Sequence, residues 1–130
     1  MKLASYLYQG RKSYGIATDN GMIDLGRHLG KRYPDLKALL AGNALSQAQE
    51  LAALPADLNF ADITFLPVIQ NPEKILCVGM NYAEKRKEFD QHNPAPTLFV
   101  RFADSKTGHA SPIFKRNGLV GFDLAGVLGV

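Results

Sequence analysis

Lys74-Ile75-Leu76-Cys77-Val78-Gly79-Met80-Asn81-Tyr82-Ala83-Glu84-Lys85-Arg86-Lys87-Glu88-Phe89 is the stretch on which the reading of this chain turns. The apolar run Ile75 to Val78 is closed by Gly79. Asn81-Tyr82 follows, and then a polar segment of helical character. The pattern predicts a strand that delivers two side chains, Asn81 and Tyr82, to the start of a helix or lid. Binding groups gather at such strand ends, because the strand fixes position while the loop gives access.

On the N-terminal side of this stretch the signals are local and regular. Residues 3–8 alternate as a strand, with Leu3, Ser5 and Leu7 on one side and Ala4, Tyr6 and Tyr8 on the other. Gly10-Arg11-Lys12 reads as a turn, Tyr14 to Thr18 as a second strand, and Asp19-Asn20-Gly21 as a hairpin turn that tolerates positive φ. Met22 to Leu25 returns as a third strand, which completes a small antiparallel meander. Leu36, Leu39 and Leu40 share a helical face after Tyr33-Pro34-Asp35, with a stop at Gly42-Asn43. A second helix is predicted from about Ala44 to Leu54, ended by Pro55. Residues 62–68 are extended up to an interruption at Pro67, and Asn71-Pro72 is a natural joint. We therefore expect one lobe over residues 1–70 and a second over 71–130.

On the C-terminal side Pro94 and Pro96 break the chain and Thr97 to Arg101 forms a strand. A loop over Ala103 to Pro112 holds Ser105, Gly108 and His109. Ile113-Phe114 is short and extended. Leu119 to Val130 is apolar with three glycines and reads as a buried strand.

Composition narrows the function. The 130 residues are 46% apolar and 21% charged, ordinary for a globular protein. The net charge of +3 divides into +1 over residues 1–70 (seven basic, six acidic) and +2 over 71–130 (eight basic, six acidic). Neither half is a polyelectrolyte, so nucleic acid is not expected as a partner. Lys85-Arg86-Lys87 and Lys115-Arg116 read as solvated faces. The lone cysteine, Cys77, reads as a buried inert thiol, in keeping with a reducing compartment. No apolar run reaches the roughly 20 residues of a membrane span and no signal-peptide pattern opens the chain, so the expectation is a cytoplasmic protein without a membrane partner. His28, His92 and His109 lack metal-motif spacing and read as loop residues.

The central stretch resembles the signature of the fumarylacetoacetate hydrolase family, in which Asn-Tyr is followed by a His and then a Glu. Asn81, Tyr82 and Glu88 match, and Lys85 stands at the His position. Leu98-Phe99-Val100-Arg101, with Ser105 and Gly108 to Ile113, is similar to the next family segment, a strand ending in a basic residue. Phe122 to Leu128 falls where the family carries Asp, an aromatic residue, Glu, Gly, Glu and Leu. The resemblance implies an α+β fold: a small N-terminal β-meander with two short helices, then an incomplete, β-rich catalytic-like domain. It implies an ancestry of hydrolases, isomerases and decarboxylases of β-dicarbonyl acids. These use Mg²⁺ or another divalent cation, which takes carboxylate oxygens and polarises a carbonyl. They also use a His–Glu pair that activates water.

Several parts of that machinery are replaced. The two metal-binding glutamates fall on Ala125 and Val127, which offer no side-chain oxygen, and Asp123 alone cannot hold Mg²⁺. Lys85 has a reference pKa of about 10.4 and is a cation at neutral pH. The family also draws a later metal-binding Asp, a Lys and much of its sheet from residues beyond position 130, so a truncated domain is expected. Lys85 and Glu88 are the candidate catalytic residues, and Asn81, Tyr82 and Arg101 the candidate substrate-binding ones. No metal ligand and no cofactor are expected for this chain. Each candidate has a structural alternative. Glu88 is either the surviving half of the dyad or a helix-surface residue, the second being favoured without a His. Asn81 and Tyr82 bind substrate or cap the following helix. Arg101 offers a planar fork for a carboxylate or is a surface residue at a strand end. The expected reading is a non-catalytic homologue that takes a small dicarbonyl acid and forms a homo-oligomer or pairs with a full-length homologue. The alternatives are an active family enzyme with an altered site and a small basic binding module.

Overall fold

The alternating N-terminal segment forms β1 (Lys2–Tyr8), which pairs antiparallel with β2 (Arg11–Thr18); β2 in turn pairs with β3 (Gly21–Asp24). The computed structural model describes residues 1–88, 90 and 97–113. By its contacts the chain divides into two units. One is Met1–Gln70 with the residues from Lys106 on, and the other is Asn71–Ser105. The mixed α+β content agrees with the sequence reading.

The first unit is built on a four-stranded antiparallel sheet in the order β3-β2-β1-β4, where β4 is Ile63–Leu66. The first hairpin closes one residue earlier than the sequence reading placed it. Its two-residue loop is Gln9-Gly10, with φ of 48° and 77°, and Arg11 and Lys12 already pair with Tyr8 and Leu7. Two consecutive positive φ values match the right-handed twist of the strands, which is why a short loop wins over the expected Gly10-Arg11-Lys12 turn. The second hairpin turns at Asp19-Asn20, and Gly21 takes φ of 137°. A Cβ on Gly21 would collide with the carbonyl oxygen of Leu58; that oxygen accepts from Met22 N–H, and Leu58 N–H donates to the Met22 carbonyl, at the outer edge of β3.

β3 ends one residue short of the expected Leu25, because the Asp24 side chain accepts from the Arg27 backbone N–H at 3.3 Å and starts α1 (Leu25–Leu29). An Asp at an N-cap satisfies a helix-start donor that would otherwise lack a partner. α2 (Leu36–Ala41) begins likewise, with Asp35 accepting from Ala38 N–H at 2.7 Å, and ends at Gly42. α3 (Leu45–Glu50) runs into a 3₁₀ turn over Leu51–Ala53 just before Pro55. The main core cluster lies on one side of the sheet. Tyr14, Ile16 and Ile23 pack there with Leu25, Tyr33, Leu36, Leu39, Ala44 and Ala48. The buried Tyr14 hydroxyl donates to the Tyr33 carbonyl at 2.6 Å, which ties the sheet to the loop before α2.

β4 occupies the narrower stretch 63–66 of the extended segment and lies against β1, with Ser5 opposite Leu66 and Tyr8 opposite Ile63. Residues 106–113 join this edge. Gly108 runs so close to β4 that an added Cβ would collide with the Phe65 carbonyl, and the His109 ring meets Phe65 edge-on at 5.6 Å between centroids. Lys106 Nζ donates to the carbonyl of Ile69.

The second unit is smaller. β5 (Leu76–Gly79) and β6 (Thr97–Val100) form a two-stranded antiparallel ribbon, with Leu76 opposite Val100 and Gly79 opposite Thr97. α4 (Ala83–Glu88) follows β5, and a 3₁₀ turn over Ala103–Ser105 follows β6. His92, Pro94, Pro96, Phe114, Lys115, Arg116 and the expected strand over Leu119 to Val130, with Asp123, Ala125 and Val127, lie outside the described residues.

Candidate functional site at the end of β5

β5 forms because Leu76, Cys77 and Val78 suit a pleated surface, and it ends where Met80 takes a left-handed φ of 54°. That residue turns the chain out of the ribbon and into Asn81-Tyr82. Both side chains are exposed, Tyr82 at 75%, and neither forms a hydrogen bond among the described residues. The first helical bond of α4 runs from Arg86 N–H to the Tyr82 carbonyl at 3.1 Å, so it is the backbone of Tyr82 that opens the helix. Lys85 and Glu88 both lie in α4, three residues apart. The strand, the Asn-Tyr pair and the helix bearing Lys85 and Glu88 therefore stand in the expected order.

Arg101 is not at this end. The ribbon is antiparallel, so the residue after β6 lies beside the residue before β5, and Arg101 N–H donates to the Ile75 carbonyl at 3.1 Å. Four residues of strand, roughly 13 Å at about 3.3 Å each, separate the level of Ile75 from that of Gly79. The Arg101 guanidinium lies 5.3 Å from the centroid of the Phe99 ring instead. Sequence order alone does not disclose this, since residues 81 and 101 both follow strands; only the antiparallel register sends them to opposite ends.

One residue of the site escaped the sequence reading. Arg86 Nη1 donates to the carbonyl oxygens of Met80, at 3.3 Å, and Asn81, at 3.1 Å. The sequence reads Lys85-Arg86-Lys87 as a solvated face, yet Arg86 is partly buried as a residue and its guanidinium turns back on the loop. A helical residue five or six positions after a loop that breaks from a strand is the available signal, because the first helical turn folds back over that loop.

The other chemistry-bearing residues of the described chain are dispersed. Cys77 is half-buried beside Phe99, more open than expected, because the ribbon is only two strands wide. His109 packs on Phe65, and His28 is exposed on α1. Asp57 pairs with Arg27 at 3.2 Å and accepts from Asp24 N–H at 2.8 Å. Burial raises the Tyr6 hydroxyl above its ordinary range, and the charges of Asp24 and Asp57 add to this. Among the described residues no three His, Cys, Asp or Glu side chains come together as cation ligands. The described residues therefore offer no ligand set for a divalent cation. Also among the described residues, no helix is long and apolar enough to cross a membrane.

Comparison with known proteins gives partial matches. Over 57 residues, 43% of the chain, the sequence is 42% identical to a mitochondrial oxaloacetate tautomerase of Xenopus laevis. Over 62 residues, 47% of the chain, it is 39% identical to a mitochondrial oxaloacetate tautomerase of Homo sapiens. The matched stretch spans only 18% of the length of each of these relatives. Across its whole length the chain is 26% identical to an uncharacterized protein of Staphylococcus epidermidis and covers 50% of it. No protein-family model matches the chain. The tautomerases are fumarylacetoacetate hydrolase family members, so these partial matches support the resemblance to that family.

Proposed function

We propose that this chain is a homologue of the fumarylacetoacetate hydrolase family that binds a small oxo acid at the Asn81-Tyr82 end of β5 and, as it stands, does not turn it over. The observation that carries the first half is the pair of partial matches to oxaloacetate tautomerases, at 42% and 39% identity. The exposed Asn81 and Tyr82 at a strand end support the same reading. Oxaloacetate, with a ketone beside a carboxylate, is the ligand class this favours.

The second half follows from the chemistry of tautomerisation. A proton must leave the carbon next to the ketone for a base, and the enolate that forms must be stabilised where its charge develops. Lys85 stands where the resemblance puts the base, and a lysine ammonium is a donor only and accepts no proton. Ala125 and Val127 stand where it puts carboxylates that hold a cation, and hydrocarbon side chains hold none. Binding therefore survives in this reading while proton transfer does not.

The test is a single preparation of the chain assayed twice. Titration with oxaloacetate, read by amide chemical shifts, is expected to give saturable changes at Asn81 and Tyr82. The enol-to-keto conversion of oxaloacetate, followed by ultraviolet absorbance, is expected to proceed at the buffer rate. Acceleration that Glu88→Gln abolishes would replace this reading with an active family enzyme. No change at any amide would remove the oxo acid from the reading altogether.

A further inference from the structure

α4 returns a guanidinium to the loop it springs from. The two N–H groups of Arg86 Nη1 meet the carbonyls of Met80 and Asn81, and the Arg86 backbone N–H meets the carbonyl of Tyr82. Three successive carbonyls are thus held by one residue. The loop needs such a restraint, because Met80 sits at φ of 54°, a conformation that costs a non-glycine residue about 1–2 kcal/mol. Arg86 is therefore what keeps Asn81 and Tyr82 at the end of the ribbon.

The arrangement leaves part of the guanidinium unused. An arginine carries five N–H donors, and among the described residues only those on Nη1 are engaged. The Nε and Nη2 edge remains, and this planar pair of donors matches the two oxygens of a carboxylate. Arg101, the arginine the sequence singled out for a carboxylate, is at the other end of the ribbon.

We propose that Arg86 is the cationic ligand-binding residue of the Asn81-Tyr82 site: Nη1 positions the loop, and the Nε–Nη2 edge receives the carboxylate of an oxo acid. The inference rests on the reading that an oxo acid binds here and names the group that recognises it.

The test uses the full chain, isotope-labelled, and oxalate as a stable probe with two carboxylates. Saturable shifts are expected at the Asn81 and Tyr82 amides and at Arg86 Nε–H. Arg86→Gln is expected to weaken binding about tenfold, the scale of one lost charge-assisted bond. Arg86→Lys, which keeps the charge and loses the fork, is expected to fall between the two. Arg101→Ala is expected to stay within about twofold of the parent, as for a group outside the site. The amide pattern of β5 and β6 reports whether each variant keeps the ribbon, and if Arg86→Gln loses it, Arg86→Lys decides. Binding at those amides that neither Arg86 variant alters, or that Arg101→Ala abolishes, overturns the assignment of Arg86 and leaves the oxo-acid reading standing. Absence of any oxalate-dependent shift overturns both.

Discussion

At the scale of single residues, two side chains carry predictions that separate structure from chemistry. Burial pushes the Tyr14 hydroxyl up to about 12, with the charges of Asp35 and Asp24 adding to the shift. Its ordinary value is 10.0, so between pH 10 and 12 the unfolded tyrosine is ionised while the folded one keeps its proton. Fewer protons in the unfolded state means stability falls as pH rises, so this contribution is full below 10 and is lost on the way to 12. Tyr14→Phe should cost about 0.5–1.5 kcal/mol near neutral pH through the lost bond to Tyr33. It should also flatten the decline in thermal midpoint above pH 10, and a variant that declines as steeply as the parent would show that Tyr14 is not the group responsible. Lys85→His tests the chemistry. The new imidazole supplies a base near neutral pH, but the described residues gather no ligand cluster for a cation that would stabilise an enolate, and that stabilisation is usually the larger contribution. Oxaloacetate tautomerisation by this variant should stay at the buffer rate. Turnover that disappears when Glu88→Gln is added would sink that argument.

At the scale of elements, short helices depend on their caps because they have so few internal bonds. α2 is six residues long, and Asp35 supplies one of its starting N–H groups with an acceptor at 2.7 Å. Asp35→Ala should destabilise the first unit by about 1 kcal/mol, measured by urea unfolding. Because α2 brings Leu36 and Leu39 to the core, the loss should appear as a lower midpoint with unchanged slope rather than as local fraying. The elements also show which local signals were readable. Asp35, Gly42 and Pro55 bracket α2 and α3 as the sequence indicated. Asp24 is an equally good cap, but the apolar residues before it read as a strand running on to Leu25, and α1 went unseen.

At the scale of the whole molecule, the ribbon of the second unit leaves apolar side chains uncovered. Leu76, Val78, Leu98 and Val100 share one face by register and are 61%, 51%, 62% and 67% exposed. Neither strand carries a charge or proline to blunt its edge. Concentration-dependent self-association of the chain is therefore expected by light scattering, and Leu98→Lys should reduce it. A parent chain that stays monomeric over a wide concentration range would rule out this ribbon as an association surface. The expected contribution of Leu119 to Val130 lies outside the described residues. Whatever depends on near neighbours was already present in the sequence: the strand alternation, the hairpin at Asp19-Asn20, the caps at Asp35 and Gly42, and the order of β5, Asn81-Tyr82 and α4. These follow from φ preferences, side-chain period and backbone donors within a few residues. Tertiary structure alone decided the rest. β4 joins β1 across more than fifty residues, Gly108 and His109 settle on Phe65, Arg101 goes to the far end of the ribbon, and Arg86 turns back on Met80 and Asn81. The physical reason is that strand register and edge pairing are set by which surfaces meet, and no window of neighbouring residues encodes where a distant partner will lie.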